Sequence, residues 1–284
     1  MENRVLRPDE ILEVSFTAAE GKAKGSFVKL MILGVLAGAF IAFAAQGSNM
    51  AAFNLLADPA RFGLGRVLAG AVFAVGLMLV VVAGGELFTG NVLMVGALLK
   101  KRITCGGMLR NWGIVYVFNF VGSLFIAWAI VSSGLLNSGS DMLGALTIRI
   151  AANKAGLGFG AAIILGLLCN WLVCLAVWMA FGTQQMIGKL FAIFFPIWLF
   201  VTSGFEHSIA NMYYVPAGIL AKADPVLLQA ALDSGVTQTA IDGLTWGGFL
   251  LHNLLPVTLG NIIGGAVFVA LAYLAAFHKK SSKI

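Results

Sequence analysis

The chain has 284 residues, of which 60% are hydrophobic and only 11% are charged, and its mean hydropathy is +0.95. An average soluble domain carries roughly 25% charged residues, so this composition excludes an ordinary soluble enzyme or a disordered protein and indicates a chain surrounded mostly by lipid. The net charge of +6 does not indicate a nucleic-acid partner, because the basic residues lie mainly in the connections between apolar segments.

Residues 1–26 precede the apolar segments and contain no apolar stretch typical of a signal peptide. Pro8-Asp9-Glu10 is typical of a helix start, and Lys22 and Lys24 fit the end of the same helix. The apolar residues of this stretch fall on one face: Ile11, Leu12, Phe16 and Ala19. We therefore predict a cytoplasmic amphipathic helix lying on the membrane surface, with a loose tail as the alternative.

Six apolar segments follow, and together they predict an all-α integral membrane domain over residues 27–277 with a short cytoplasmic tail at 278–284. A membrane-spanning helix needs about 20 apolar residues. We place the segments at 27–47, 65–99, 112–134, 157–181, 187–220 and 250–277. The second and fifth are too long for one ordinary helix, because about 34 residues extend for roughly 50 Å, whereas the bilayer core is about 30 Å thick.

The lysines and arginines predict the orientation of these segments. With the N-terminus inside, 13 of the 18 basic residues lie in inner segments and five lie in outer segments. Basic connections are retained in the cytoplasm. We therefore predict a multi-pass protein of the plasma or inner membrane with both termini cytoplasmic, whose basic inner face attracts anionic lipid.

The second and fifth segments are each interrupted by polar and glycine residues, at Gly84–Asn91 and at Thr202–Ser208. Each interrupted segment is the middle one of three, so two groups of three spans cross the membrane with opposite polarity. This pattern predicts an inverted 3+3 repeat with broken second and fifth helices. Non-helical backbone at membrane depth must be buried in protein or line a cavity. A simple kink or surface loop is the alternative.

Ionisable side chains in the breaks are the clearest functional signal, because such groups are costly inside a membrane. Glu86 lies in the first break, and Glu206 and His207 lie in the second. Each glutamate either has a transport role or stabilises its loop by accepting hydrogen bonds from the backbone amides of its own break. For His207 a functional role is favoured, because an imidazole exchanges a proton near neutral pH.

Three uncharged polar residues also occur within apolar surroundings. Thr89 follows two large apolar residues of the first break, an arrangement that suits a pore in which a small solute loses its water at a few defined points. Asn170 and Asn261 lie in otherwise apolar helices. Each either contributes to a polar pore lining or joins helices through hydrogen bonds.

Rival functional classes have little support in the sequence. There is no HExxH, P-loop or GxSxG pattern, and Cys105, Cys169 and Cys174 have no metal-binding or disulfide spacing. We therefore predict no enzymatic activity, no metal and no cofactor. A purely structural or receptor-like membrane protein would not need two matched polar breaks.

Three segments resemble signature motifs of the formate/nitrite transporter family. Leu87–Asn91 matches the family's loop in the second span, Gly204–Met212 matches its loop in the fifth span, and Asn253–Gly265 matches a motif of the sixth. Together with the pattern of six spans, the resemblance covers roughly residues 8–277. It implies a homopentamer of aquaporin-like protomers, each with its own pore for small monovalent anions. The Asn-Pro-Ala loops of aquaporins are absent.

The resemblance also implies roles for individual residues. His207 matches the family's central pore histidine and Thr89 the threonine of its mobile loop, while Lys154 matches its vestibule lysine. Asn170 and Asn261 match polar positions beside the pore. The apolar constrictions fall on Leu77, Leu87, Phe88 and Val173 on one side, and on Phe73 and Phe200 on the other.

The substrate and its charge in transit stay open at the sequence level. Formate, nitrite and hydrosulfide are the expected anions, and Gly90-Asn91 resembles the nitrite and hydrosulfide members more than some formate channels. A lactate- or acetate-type proton symporter is the alternative. The anion either meets hydrogen-bond donors from Thr89 and His207 or crosses as the protonated acid, which would couple transport to pH.

Overall fold

The structure is a computed structural model that describes residues 4–277, so the tail predicted at 278–284 lies outside the described residues. The α-helices of the described part are α1 (Pro8–Ala23), α2 (Phe27–Ala57), α3 (Phe62–Met78), α4 (Phe88–Asn91), α5 (Met94–Leu99), α6 (Cys105–Ser132), α7 (Met142–Ala155), α8 (Phe159–Phe181), α9 (Met186–Ser203), α10 (Ser208–Ala221), α11 (Pro225–Asp233), α12 (Gln238–Gly243), α13 (Leu255–Gly265) and α14 (Ala272–Phe277). Wider π-helical turns extend α3 through Leu79–Gly84, precede α13 at Gly248–Leu254 and join α13 to α14 at Ala266–Leu271. A short 3₁₀ turn occupies Leu135–Asn137.

Within residues 4–277, six helical units are long and apolar enough to cross a membrane, which confirms the predicted six-span architecture. They are Phe27–Ala57, Phe62–Gly84, Cys105–Ser132, Phe159–Phe181, Met186–Ser203 and Gly248–Phe277. The first helix continues ten residues past its predicted end at residue 47. This last part contains Ser48 and Asn49, which are polar but buried against other helices. The helix continues past this interruption of the apolar pattern because Ser48 and Asn49 face protein.

Both predicted breaks are present. The first extended helix ends at Gly84, with φ of +97°, and α9 ends at Gly204, with φ of +83°. A side chain is strained in this left-handed conformation, and glycine adopts it freely. After each break the chain continues as a shorter helical segment, α4 and α5 in the first half and α10 in the second.

The N-terminal helix α1 lies against the rest of the protein. Its apolar face contacts α5, α8 and α14, and Leu12 and Phe16 are only 2% and 1% exposed. On its polar side, Arg102 forms ion pairs with Glu13 and Glu20. The expectation that this face enters the membrane surface is therefore corrected. An amphipathic pattern requires an apolar partner, and here that partner is a protein surface.

The spans approach one another most closely at glycines. A Cβ atom on Gly38 of α2 would overlap the carbonyl oxygen of Asn119 in α6, and one on Gly264 of α13 would overlap the carbonyl oxygen of Leu167 in α8. Small residues permit such backbone contact between membrane helices. These close contacts hold together the helices that surround the breaks.

Candidate functional site

A small apolar cavity, called the constriction here, lies between the two breaks. It is a cavity of about 10 Å³, which is roughly the smallest volume that admits one water molecule. Its lining is apolar except for one imidazole: Ile41, Phe73, Leu77, Leu87, Val173, Ile197, Phe200 and His207. Five of the six predicted constriction residues therefore surround one point, and a solute passing it loses nearly all of its water.

Phe88, the sixth predicted constriction residue, lies outside the lining of this cavity. Its ring packs edge-on against Trp112 and Tyr116, with centroid distances of 5.7 and 4.8 Å. The change of backbone direction at the break turns the Leu87 side chain toward the passage and the Phe88 side chain toward α6. For this cavity, the constriction role predicted for Phe88 is therefore corrected to a packing role.

A wider vestibule adjoins the constriction on each side. The α1 vestibule, of about 250 Å³, is lined by Lys22 and Lys189 and shares Leu77 and Leu87 with the constriction. The α7 vestibule, of about 100 Å³, is lined by Lys154 and Arg66 and shares Phe73, Phe200 and His207 with it. The shared lining residues show that the three cavities are neighbours within a single chain.

His207 and Thr89, one from each break, are hydrogen-bonded to each other. The backbone N–H of Ala210 donates to His207 Nδ1 over 3.0 Å, and Thr89 Oγ1 lies 2.9 Å from His207 Nε2. Because Nδ1 accepts a hydrogen bond, the uncharged ring carries its proton on Nε2. The Nε2–H group then donates a hydrogen bond to Thr89 Oγ1. The hydroxyl hydrogen of Thr89 is not used in this bond.

The two asparagines of the apolar helices tie the breaks in place and do not line the constriction. Asn170 Nδ2 donates to the carbonyl oxygens of Thr89 and Asn261, over 3.1 and 2.7 Å. Asn261 Nδ2 donates to the carbonyl oxygens of Gly166 and Glu206, and its Oδ1 accepts from the amide of Ser208. Of the two roles left open by the sequence, the structure favours the helix-joining one.

Glu206 is the centre of a buried polar cluster at the second break. Its carboxylate accepts hydrogen bonds from Lys154 Nζ at 2.7 Å and from Asn211 Nδ2 at 2.7 Å. Asn253 Nδ2 lies 3.4 Å from the same carboxylate and also donates to the carbonyl oxygen of Lys154. The vestibule lysine therefore forms a buried ion pair, which fixes the break to α7 and α13.

The first break contains an equivalent cluster around Glu86. Lys22 Nζ donates to this carboxylate at 2.9 Å and Asn91 Nδ2 at 2.7 Å. Asn111 accepts a second hydrogen bond from Asn91 and donates to the carbonyl oxygen of Lys22. Because Lys22 ends α1 and Lys154 ends α7, the inverted repeat includes these two shorter helices as well as the three spans of each half.

The expected donors to the two glutamates were the backbone amides of the breaks, and this expectation is corrected. The amides of Phe88 and Ser208 instead donate to the side-chain oxygens of Asn119 and Asn261. The glutamates are therefore bound by lysine and asparagine side chains.

Lys22 and five asparagines of the site were not predicted from the sequence. A usable signal was present, because an asparagine follows the glutamate by five positions in both breaks. The missed asparagines are Asn91, Asn111, Asn119, Asn211 and Asn253.

The fold and the site together define a multi-pass membrane protein with a row of neighbouring cavities between two broken helices. A family model described as "Formate/nitrite transporter" matches residues 9–275. The chain therefore belongs to the formate/nitrite transporter family, and it is a transport protein rather than an enzyme.

Individual relatives agree over nearly the full length. The "Formate channel BtFdhC" of Bacillus thuringiensis is 41% identical, over 98% of each chain. The "Probable formate transporter" of Methanothermobacter thermautotrophicus is 40% identical, over 96% of this chain and 97% of the relative. A solved structure described as "Pentameric formate channel with formate bound" superposes with a TM-score of 0.78 at 35% identity, covering 89% of this chain and 98% of the other.

Proposed function

We propose that this protein carries formate, together with other monovalent anions of similar size such as nitrite and hydrosulfide. The observation that carries the proposal is the constriction of about 10 Å³, which is apolar except for His207 and its partner Thr89. A solute that passes must be very small and must replace its lost water with one or two hydrogen bonds. The formate channels among the relatives support the choice of substrate.

We further propose that the substrate crosses the constriction together with a proton, as the uncharged acid. The five aliphatic and aromatic residues predicted to form the constriction offer nothing that could compensate a negative charge, and an unpaired ion in such surroundings is very costly. The vestibule cations attract the anion and raise its local concentration. The proton is then taken up before the constriction, where Thr89 and His207 hydrogen-bond to the acid.

Uptake into proteoliposomes tests the substrate range. At about pH 5.5 and again at about pH 7.5, on either side of the usual imidazole titration, we expect formate and nitrite to enter at least about tenfold faster than lactate. Acetate should be intermediate, because one additional methyl group must pass the same apolar ring. Equal rates for formate, acetate and lactate would instead favour the alternative, a general symporter of weak acids with protons.

We propose a homopentamer in the plasma or inner membrane, with both termini cytoplasmic. The related pentameric channel supports the assembly, and the basic connections support the orientation. The fivefold axis is then not the substrate route, because each chain contains its own path. Five copies of the 29.8 kDa chain give about 149 kDa, and native mass spectrometry in mild detergent should find this mass. A stable monomer or trimer would contradict the assembly.

A further inference from the structure

The α7 vestibule contains a buried amide that the site described so far does not use. Asn49 of α2 lines this cavity and is only 2% exposed. Its Nδ2 has no hydrogen-bond partner among residues 4–277. A buried donor without a partner is destabilising, so such a group is usually retained where a water molecule or a ligand completes it.

Arg66 of α3 lines the same cavity and supplies a fixed cation. Its Nε donates to the carbonyl oxygen of Thr202 over 3.3 Å, and its Nη2 donates to that of Val201, at the end of α9. These bonds orient the guanidinium and occupy two of its five N–H groups. In the described part of the chain, the Nη1 group has no recorded acceptor, and no carboxylate forms an ion pair with Arg66.

The charges around this cavity favour an anion. Glu206 is the carboxylate in its lining, and Lys154 already neutralises it at 2.7 Å. With two cations, Arg66 and Lys154, and one carboxylate, the lining carries a net positive charge. A guanidinium offers parallel donors that match the two oxygens of a carboxylate or of nitrite, and a nearby amide N–H adds a further donor.

We propose that Arg66 and Asn49 form an anion-binding subsite in the α7 vestibule, which holds a small planar anion with two oxygens before it reaches His207. This inference rests on the proposed function and adds a waiting position to it. The subsite belongs to one side only, because Phe181, Lys22 and Lys189 line the α1 vestibule and its described lining contains no unpartnered buried amide. The protein therefore binds formate more tightly when formate enters from the α7 side than when it enters from the α1 side.

The test uses Asn49→Leu, which replaces the amide by an apolar group of similar size. Folding should be preserved, because the substitution removes an unpaired buried donor. Arg66→Lys keeps the charge and loses the parallel donors. Asn54→Leu, at an exposed position of the same helix, is the matched control. Formate uptake is measured with vesicles of known orientation, presenting formate to the α7 side or to the α1 side.

We expect Asn49→Leu and Arg66→Lys to raise the half-saturating formate concentration from the α7 side at least about tenfold, as for the loss of one hydrogen bond to a charged group. The half-saturating formate concentration measured from the α1 side should stay at the wild-type value in both variants. Asn54→Leu should match the wild type from either side. An unchanged value from the α7 side, or an equal rise from both sides, would overturn the subsite.

A binding measurement separates this inference from the proposed function. Formate should raise the Tm of the purified wild-type protein, and this shift should be smaller in both subsite variants. If formate raises the Tm of the wild type but is not transported by it, the subsite is supported and the proposed function is contradicted. A shift that is identical in wild type, Asn49→Leu and Arg66→Lys would overturn the subsite even if transport is intact.

Discussion

Replacement of His207 by phenylalanine should lower formate uptake at pH 7 by up to about tenfold, the factor expected when one hydrogen bond to the uncharged acid is lost. The phenyl ring has a similar size and keeps the packing against Phe200, whose centroid lies 6.0 Å from that of the imidazole. It removes the donor to Thr89 and leaves the constriction entirely apolar. The Ala210 amide loses its acceptor, which costs about 1 kcal/mol, as at other helix N-caps.

Two further variants separate hydrogen bonding from proton exchange. His207→Asn keeps a donor but does not titrate, and Thr89→Val removes the hydroxyl at nearly constant shape. If hydrogen bonding dominates, His207→Asn should retain more uptake than His207→Phe, and Thr89→Val should resemble the phenylalanine variant. Uptake is compared between about pH 5 and pH 8, where an ordinary imidazole changes its charge. Four coincident curves would assign His207 a purely structural role.

Loss of the Lys154 ammonium should have the largest effect on stability. Lys154→Met leaves the buried Glu206 carboxylate, whose side chain is 8% exposed, without its ion-pair partner. Breaking a buried pair in this way typically costs about 3–5 kcal/mol, because the remaining charge is uncompensated. We therefore expect a clear decrease in Tm in detergent.

The double variant Lys154→Met/Glu206→Gln should recover most of the Tm lost in Lys154→Met, because it also removes the unpaired buried charge. An uncharged amide can still bond to Asn211, so most of the lost stability should return. The equivalent variant of the first repeat, Lys22→Met, is the matched control and should be milder, because the side chains of Lys22 and Glu86 are 25% and 11% exposed. A Tm unchanged by Lys154→Met would show that the pair contributes nothing to folding.

The spans, the breaks and the central residues could be predicted because each has a local signal. Apolar length marks the six spans, and Glu86, Glu206 and His207 stand out inside them because ionisable groups are rare at that depth. The inverted repeat was inferred from the middle position of both breaks, and the structure brings His207 of one break next to Thr89 of the other.

Other parts of the site have no such signal. Asn111 lies in a long apolar helix, and only the packed structure brings it to Asn91 and the end of α1. The amphipathic pattern of α1 is the same whether its partner is lipid or protein, so its docking against α5 could not be predicted. The direction of Phe88 depends on backbone angles at the break, which the sequence does not specify.

The central claim is that formate passes the apolar constriction as an uncharged acid. The most direct measurement follows ¹³C-formate uptake and internal pH together in proteoliposomes whose membrane potential is clamped. We predict one proton taken up per formate, with final accumulation independent of an inside-negative potential of about 100 mV. Movement of the bare anion would reduce accumulation about fiftyfold at that potential, which corresponds to about 2.3 kcal/mol per charge, and would contradict the account.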